Sequence, residues 1–141
     1  MSRIYWDSML FVYWLEDNPL FAKRVAAIHA RMQDRKDQLI TSAVTLGEVL
    51  AGAYRKGSAS RADEIRAGLL SLLSEIVPFT VETADSYARI RGTTNIDSPD
   101  AIHLACAATA NTDLFLTNNN DLVGRVIPGI HFIAGLDSNI I

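Results

Sequence analysis

Residues 98–117 read SPDAIHLACAATANTDLFLT and predict a helix followed directly by a strand. Ser98 and Pro99 form the cap-plus-proline pair that opens many helices, and an apolar helix follows over 100–110. Residues 113–117 then predict a strand that is almost wholly apolar. A short strand without polar alternation is typical of a parallel sheet that helices cover on both faces.

Short apolar strands alternate with helices in the rest of the chain as well. The other strands are predicted at 3–6, 38–42, 76–80 and 130–133. The other helices are predicted at 8–16, 19–35, 45–56, 61–75 and 81–91, with a loop over 57–60. This alternation predicts an α/β fold with a short parallel sheet flanked by helices.

The composition limits the classes of protein to consider. A chain of 141 residues fits one domain, 1–141, and 49% apolar against 21% charged residues excludes disorder. A net charge of −3 excludes a generally basic clamp for nucleic acids. The lone Cys106 excludes a disulfide framework or a cysteine zinc site and is expected to be a buried thiol. The apolar stretch 8–15 is too short for a signal peptide or a membrane span, which predicts a cytoplasmic protein.

Acidic and amide side chains stand where the predicted strands end or the next helices begin. Asp7 directly follows the first strand, and Glu48 lies in the first turn of the helix after the second. Asp100 opens its helix, while Asn119 and Asp121 follow the fourth strand. Ligands of open α/β sheets bind beyond the carboxyl ends of the strands. In a parallel sheet, all five side chains therefore project from one edge.

Each of these residues also has a purely structural explanation. Asp7 is placed to cap the helix that follows it, and Asp100 complements the dipole of its own helix. Thr45 and Glu48 match a capping box. The polar run 117–121, TNNND, is ordinary turn chemistry.

The combination of acids points to a metal site. Carboxylates gathered at one edge repel one another, and a bound hard divalent cation relieves that repulsion. Mg²⁺ and Mn²⁺ prefer oxygen ligands and keep several waters, so few protein ligands are needed. Such an ion lowers the pKa of a bound water and holds a phosphate oxygen, which suits phosphodiester hydrolysis. It also allows an acidic pocket to accept a polyanion.

Four segments carry a family resemblance. They are residues 4–8 (IYWDS), 42–48 (SAVTLGE), 98–105 (SPDAIHLA) and 116–122 (LTNNNDL). In order and spacing they resemble the first-strand aspartate, the Ser-x-x-Thr-x-x-Glu element, the Asp-Ala-x-His-Leu-Ala motif and the closing Thr-x-Asp/Asn region of PIN-domain ribonucleases. The resemblance extends from about residue 3 to residue 133. A chain of this length most resembles the VapC-type toxins of bacterial toxin–antitoxin pairs.

The resemblance implies a Mg²⁺- or Mn²⁺-dependent endoribonuclease with a Rossmann-like fold. It also implies a homodimer that is silenced by a small antitoxin protein in the active-site groove. Carried over by position, Asp7, Glu48 and Asp100 form the acidic core, and Asp121 is a further candidate metal ligand.

The fourth acidic position departs from the family pattern. Asn119 stands where many members have aspartate, and Asp121 comes two residues later. This leaves open whether one or two metal ions bind. Thr117 is a candidate to hydrogen-bond a water at the ion or a phosphate, or else is a strand-end hydroxyl. His103, on the helix face of Asp100, either orients the site or is a structural histidine.

Two alternative functions remain. A PIN-like module without catalysis would act through protein contacts, and Asn119 keeps that reading open. A phosphoacceptor receiver domain has similar length and acidity, but it needs a lysine late in the chain, and the last lysine here is Lys56. DNA instead of RNA also stays possible as the substrate.

Two further features concern partners. Phe11 and Trp14, at helical spacing, either belong to the core or line a hydrophobic groove for a partner helix. Arg55 and Lys56 are the preferred RNA contacts, since their helix also carries Glu48.

Overall fold

Residues 2–139 are described by a computed structural model, in which six helices surround a five-stranded sheet. The strands are β1 (Arg3–Trp6), β2 (Gln38–Ser42), β3 (Glu75–Val77), β4 (Thr112–Thr117) and β5 (Ile130–Gly135). The helices are α1 (Ser8–Leu15), α2 (Ala22–Arg35), α3 (Ala43–Arg55), α4 (Ala59–Leu72), α5 (Val81–Thr93) and α6 (Ser98–Thr109). The α/β prediction is confirmed.

The sheet is parallel throughout and has the strand order β3-β2-β1-β4-β5. In the centre, Tyr5 is in register with Ile40 of β2 and Phe115 of β4. The chain fills one side of β1 first and then crosses to the other, so the order reverses between β1 and β4. Such a switch point leaves a crevice beyond the strand ends, where ligands of α/β proteins bind.

Alternation along the strands divides the core into two layers. Ile4 and Trp6 of β1 are buried against α1 to α4, whereas Tyr5 faces the opposite layer with α5 and α6. Successive strand residues point to opposite faces, and helices cover both faces here, which explains the nearly continuous apolar strands. Cys106 lies in the second layer as the expected buried thiol, and burial raises its pKa to about 11.

The predicted capping box of α3 is wrong. No loop separates β2 from α3, so the last strand residue, Ser42, is the cap, and its hydroxyl accepts the Thr45 N–H at 3.2 Å. Glu48 consequently lies in the second turn of the helix and not in the first. Its side chain is free to do something other than capping.

The predicted cap of α6 is displaced by one residue. Asp97 occupies the cap position without a side-chain bond to the helix, and Ser98 is already helical, with Pro99 in the first turn as expected. The Ser98 hydroxyl instead pairs with the phenol of Tyr87 on α5 at 2.6 Å. Asp100 keeps its predicted place in the first turn.

The start of α2 also differs from the prediction. The Asn18 side chain accepts the N–H groups of Leu20 and Phe21 at 2.9 and 3.0 Å, which holds Pro19 in a turn. The regular helix therefore begins at Ala22. Asn18 acts in the predicted capping role, but on a turn that precedes the helix.

Two other boundaries shift because hydroxyl residues cap the next helix. β3 ends at Val77, before Pro78, and Thr80 forms a capping box with Thr83 at the start of α5. Ser58 caps α4, whose first turn replaces part of the predicted loop. No helix within residues 2–139 is both long and apolar enough to cross a membrane.

Candidate active site

Asp7 lies at the switch point, directly after β1. Its Oδ1 accepts the Met9 N–H at 3.1 Å, so the residue caps α1, and its Oδ2 accepts the hydroxyl of Thr117 at 2.6 Å. Thr117 is the last residue of β4, and the Asp7 N–H is bonded to the carbonyl of Leu116. The capping explanation is correct, and the second carboxylate oxygen is turned toward the neighbouring strand.

The pKa of Asp7 is raised because the carboxyl is 9% exposed and loses hydration. The bond from Thr117, the field of His103 and the Met9 N–H oppose this rise, and the negative charge of Asp100 adds to it. Asp7 and Asp100 are thus close enough to interact. Both would be stabilised in their charged forms by a cation.

Asn119 links Thr117 to Asp100. Its backbone N–H donates to the Thr117 hydroxyl at 3.0 Å, and its side-chain amide donates to Asp100 Oδ2 at 2.9 Å. Two neutral polar residues therefore connect the two carboxylates. An aspartate at position 119 would repel Asp100, whereas the amide supplies a donor, which gives the departure from the family pattern a local physical role.

Asp121 lies at the outer edge of the site. It is exposed, and its N–H donates to the Asn119 side-chain oxygen at 3.1 Å. A groove of about 290 Å³ joins Asp121 to Asp100; its lining residues are Asn95, Ile96, Asp97, Asp100, Asn119, Asp121, Leu122 and Arg125. We shall refer to it as the acidic groove.

Sequence reasoning missed three residues of the acidic groove: Asn95, Asp97 and Arg125. Asp97 could have been predicted from the sequence, because it directly precedes the helix that carries Asp100 and so lies at the same edge of the sheet. Asn95 and Arg125 could not, since they lie in loops whose path a sequence pattern does not fix.

Within the described residues, Glu48 makes its side-chain hydrogen bond to His103 and none to the Asp7 network. Its carboxylate is 45% exposed and lies 2.7 Å from Nε2 of His103. The other ring nitrogen, Nδ1, lies 2.9 Å from the Tyr5 phenol and 3.4 Å from the Thr45 hydroxyl. Because a carboxylate only accepts, the Nε2–H of His103 donates to Glu48. His103 is thus buried and hydrogen-bonded, as a structural histidine should be, and it also fixes Glu48.

The predicted convergence of four acids is found in part. Asp7 and Asp100 are linked, Asp121 shares a groove with Asp100, and Glu48 is paired with His103. Across the described part of the chain, no three His, Cys, Asp or Glu side chains stand as a ready group for a metal ion. The oxygen donors nevertheless fit Mg²⁺ or Mn²⁺, which keep several waters and need few direct ligands.

A second groove of about 420 Å³ lies between α1 and α4, and we call it the α1–α4 groove. Its lining residues are Phe11, Trp14, Leu15, Arg61, Glu64, Ile65, Gly68, Leu69 and Leu72. Phe11 is buried in the core, and Phe11 and Trp14 both border this mainly apolar groove.

An adjoining groove of about 430 Å³ contains Glu48, Arg55 and Lys56. It shares Leu15, Arg61 and Ile65 with the α1–α4 groove, so the two form a continuous depression that leads toward Glu48.

Fold and site together define a Rossmann-like α/β domain with acids beyond the carboxyl ends of its central strands. The profile of the PIN domain family matches residues 4–125, and the chain belongs to this family. Among curated proteins, no significant match to the sequence is found.

Three solved structures are similar in fold, and one of them is a toxin–antitoxin complex. VapBC2 from Rickettsia felis, bound to a DNA fragment from its promoter, aligns with a TM-score of 0.73 and 19% identity over 94% of this chain and 98% of that one. FitAB bound to the IR36 DNA fragment aligns with a TM-score of 0.67 and 18% identity over 94% of each chain. A toxin–antitoxin complex from Klebsiella pneumoniae aligns with a TM-score of 0.62 and 20% identity over 92% and 95%. At these identities the likeness concerns the fold.

Proposed function

We propose that this protein is a Mg²⁺- or Mn²⁺-dependent endoribonuclease, the toxin of a type II toxin–antitoxin pair. The observation that carries the proposal is the hydrogen-bonded chain Asp7–Thr117–Asn119–Asp100, which brings two carboxylates together at the switch point of a PIN domain. The location expected for a protein acting on RNA in this way is the cytoplasm, with residues 1–141 as one domain.

The residues of the chain have separate roles in this proposal. Asp7 and Asp100 would hold the ion, and Glu48 and Asp121 would bind its waters or a second ion. When bound, such an ion lowers the pKa of a water and neutralises charge on the phosphate. Thr117 fixes the orientation of Asp7 by donating to one of its oxygens, and Asn119 does the same for Asp100. Arg55 and Lys56, in the groove with Glu48, would supply positive charge along the path of the RNA, Lys56 after release from its ion pair with Glu16 at 2.8 Å.

Loss of the Asp100 carboxylate is expected to remove metal binding and RNA cleavage together. In calorimetry, the wild type should bind Mn²⁺, whereas Asp100→Asn should lose affinity by about tenfold or more, the scale seen when support of a metal site is lost. The matched control is Asp85→Asn, which removes a carboxylate from the exposed surface of α5, outside the acidic groove. It should retain wild-type Mn²⁺ affinity.

Two results would oppose the proposal. Equal Mn²⁺ binding by Asp100→Asn and the wild type would mean that the ion binds elsewhere. A wild type that binds no Mn²⁺, even with RNA present, would exclude the nuclease and favour the PIN-like interaction module. Far-UV circular dichroism of each variant verifies that it is folded.

The proposed protein partner is a small antitoxin whose apolar helix occupies the α1–α4 groove. The groove is lined mainly by apolar side chains and continues toward Glu48, so a segment bound there can extend to the active site. The similar folds in toxin–antitoxin complexes support this kind of partner. We also propose a homodimer, which the sedimentation coefficient of the purified protein tests.

Filling the α1–α4 groove is expected to weaken neutralisation without affecting cleavage. Gly68 lies on the exposed side of α4, and a Cβ atom there would meet no other atom within 4 Å. Gly68→Glu should therefore fold and cleave RNA like the wild type, but about tenfold more antitoxin should be needed to stop cleavage, the effect of losing about 1.4 kcal/mol of binding.

Gly92→Glu, on the exposed surface of α5 and equally free of steric overlap, is the matched control. It should be neutralised like the wild type. Equal neutralisation of Gly68→Glu would place the antitoxin on another surface. The measurement titrates a candidate antitoxin, the product of any small gene that neighbours the gene of this protein, into an RNA cleavage assay.

A further inference from the structure

Arg125 is the cationic side chain that lines the acidic groove. Its Nε donates to the Asp121 carbonyl at 3.0 Å, and one terminal nitrogen donates to the Asn95 side-chain oxygen at 2.8 Å. Both acceptors are uncharged. Within residues 2–139, no carboxylate lies at ion-pair distance from this guanidinium, so its positive charge is not neutralised.

The guanidinium also has unused donors. An arginine carries five N–H groups in a fixed planar fork, and only two of them are engaged here. The remaining donors find no acceptor in the part of the chain that the structure describes. Two N–H groups in parallel are what a phosphate oxygen pair accepts best.

The backbone holds Arg125 in place. Its N–H donates to the Leu122 carbonyl at 3.1 Å, and the preceding Gly124 N–H donates to the Ile133 carbonyl of β5 at 3.2 Å. The Nε bond to Asp121 then fixes the side chain over its own loop, and the residue is half-buried. A side chain that is already ordered loses little conformational entropy when it binds a ligand.

The acidic groove has an excess of negative charge, so a phosphate that enters it needs a cationic partner. Asp97, Asp100 and Asp121 line it together with the single guanidinium of Arg125. Acids in excess repel a polyanion, and a metal ion near Asp100 would compensate that repulsion only close to itself, because charge interactions weaken with distance and screening. A phosphate farther along the groove needs its own positive partner.

We propose that Arg125 binds a backbone phosphate of the RNA that neighbours the scissile one, and so positions the strand across the acidic groove. This role rests on the proposed function, because it requires the strand to pass the Asp7–Asp100 site. The competing explanation is structural: Arg125 would only tie the loop at Asn95 to the loop at Asp121.

Salt dependence of RNA binding separates the two explanations. Wild type, Arg125→Gln and Arg125→Lys are titrated into a fluorescently labelled single-stranded RNA of mixed sequence, followed by anisotropy. Ca²⁺ replaces Mg²⁺, and a denaturing gel verifies that the RNA stays intact. Loss of one phosphate contact should weaken binding of Arg125→Gln by about tenfold and make the slope of log affinity against log salt shallower by about 0.7. Arg125→Lys should keep the slope and bind with intermediate affinity, since it retains the charge without the fork.

Arg89→Gln is the matched control, because Arg89 is 80% exposed on α5 and pairs only with Asp85 within the described residues. It should bind RNA like the wild type. Mn²⁺ affinity should be equal in all variants. An unchanged salt slope in Arg125→Gln, with a lowered melting temperature, would establish the structural tie and overturn the proposal. A wild type that neither binds nor cleaves RNA would overturn the proposed function itself, and the role of Arg125 with it.

Discussion

Replacing Asp7 with asparagine is expected to abolish RNA cleavage and to leave the protein folded. Asparagine is as good a helix cap as aspartate, so the bond from Met9 to the side chain at position 7 is retained. What is lost is the negative charge that would hold the divalent ion, together with one acceptor oxygen, because the amide nitrogen of asparagine replaces the oxygen that accepts the Thr117 hydroxyl in the wild type. Because such an ion contributes several kcal/mol to stabilising the transition state, the rate should fall by about a thousandfold or more. A cleavage assay with labelled RNA and Mn²⁺ measures this.

The same substitution is expected to make the metal-free protein gain thermal stability relative to the wild type as the pH rises from about 4 to 7. Burial raises the pKa of Asp7 in the folded state, so the ionised carboxylate disfavours folding. The stability associated with the protonated form is complete below the unfolded pKa of about 4 and is lost as the pH rises through the folded pKa. Asparagine does not ionise and avoids this loss. The melting temperature of Asp7→Asn, minus that of the wild type, should therefore increase between about pH 4 and pH 7 and stay constant below about pH 4, where only the pH-independent loss of the Thr117 bond contributes.

The control is Asp85→Asn, because Asp85 is an exposed residue of α5, and its melting temperature relative to the wild type should show no such dependence on pH. The melts are recorded in EDTA, because a bound ion would stabilise the wild type alone. If Asp7→Asn cleaves RNA at the wild-type rate, Asp7 is not part of the active site. A stability difference that persists unchanged to acid pH would mean that packing, and not charge, is its cause.

Much of the geometry of the candidate site was predictable because a parallel sheet collects strand ends at one edge. Asp7, Thr117 and Asp100 are far apart in sequence, yet Asp7 follows a strand, Thr117 ends one and Asp100 lies in the first turn of a helix, and this alone brings them to the switch point. The strands were equally predictable from their continuous apolar sequences, since both faces of the sheet are covered. Only the backbone topology was needed for these predictions.

The remaining features depend on where side chains turn, which the order of elements does not fix. Glu48 pairs with His103, 55 positions away, because the buried phenol of Tyr5 fixes the imidazole between them. Arg125 reaches Asn95 across two loops. The helix caps shifted for a related reason: where β2 runs straight into α3, the hydroxyl of Ser42 is already in place.

Replacing Gly129 with alanine is expected to destabilise the fold by about 3 kcal/mol or more. Gly129 has a φ of +96°, and a Cβ atom there would lie 2.5 Å from the backbone oxygen of Ala108. Ala108 belongs to the last turn of α6, so relief would require the helix or the start of β5 to move. The hydrogen bond from the Thr112 N–H to the Gly129 carbonyl, at 3.1 Å, would be strained with it. Losses of this size are typical when strain and overpacking coincide.

Gly124→Ala is the matched control, because Gly124 has a similar φ of +80° but no atom within 4 Å of an added Cβ. Its cost is that of the left-handed backbone alone, about 1–2 kcal/mol. Urea unfolding with equal m-values measures both variants, and the difference between them isolates the overlap with Ala108. Equal losses would show that the end of α6 yields easily. Asp100 lies at the start of α6, and the contact with Gly129 lies at the end of the same helix. If that contact is rigid, Gly129→Ala should also lower Mn²⁺ affinity more than Gly124→Ala does. The affinity is measured on the folded fraction of each variant.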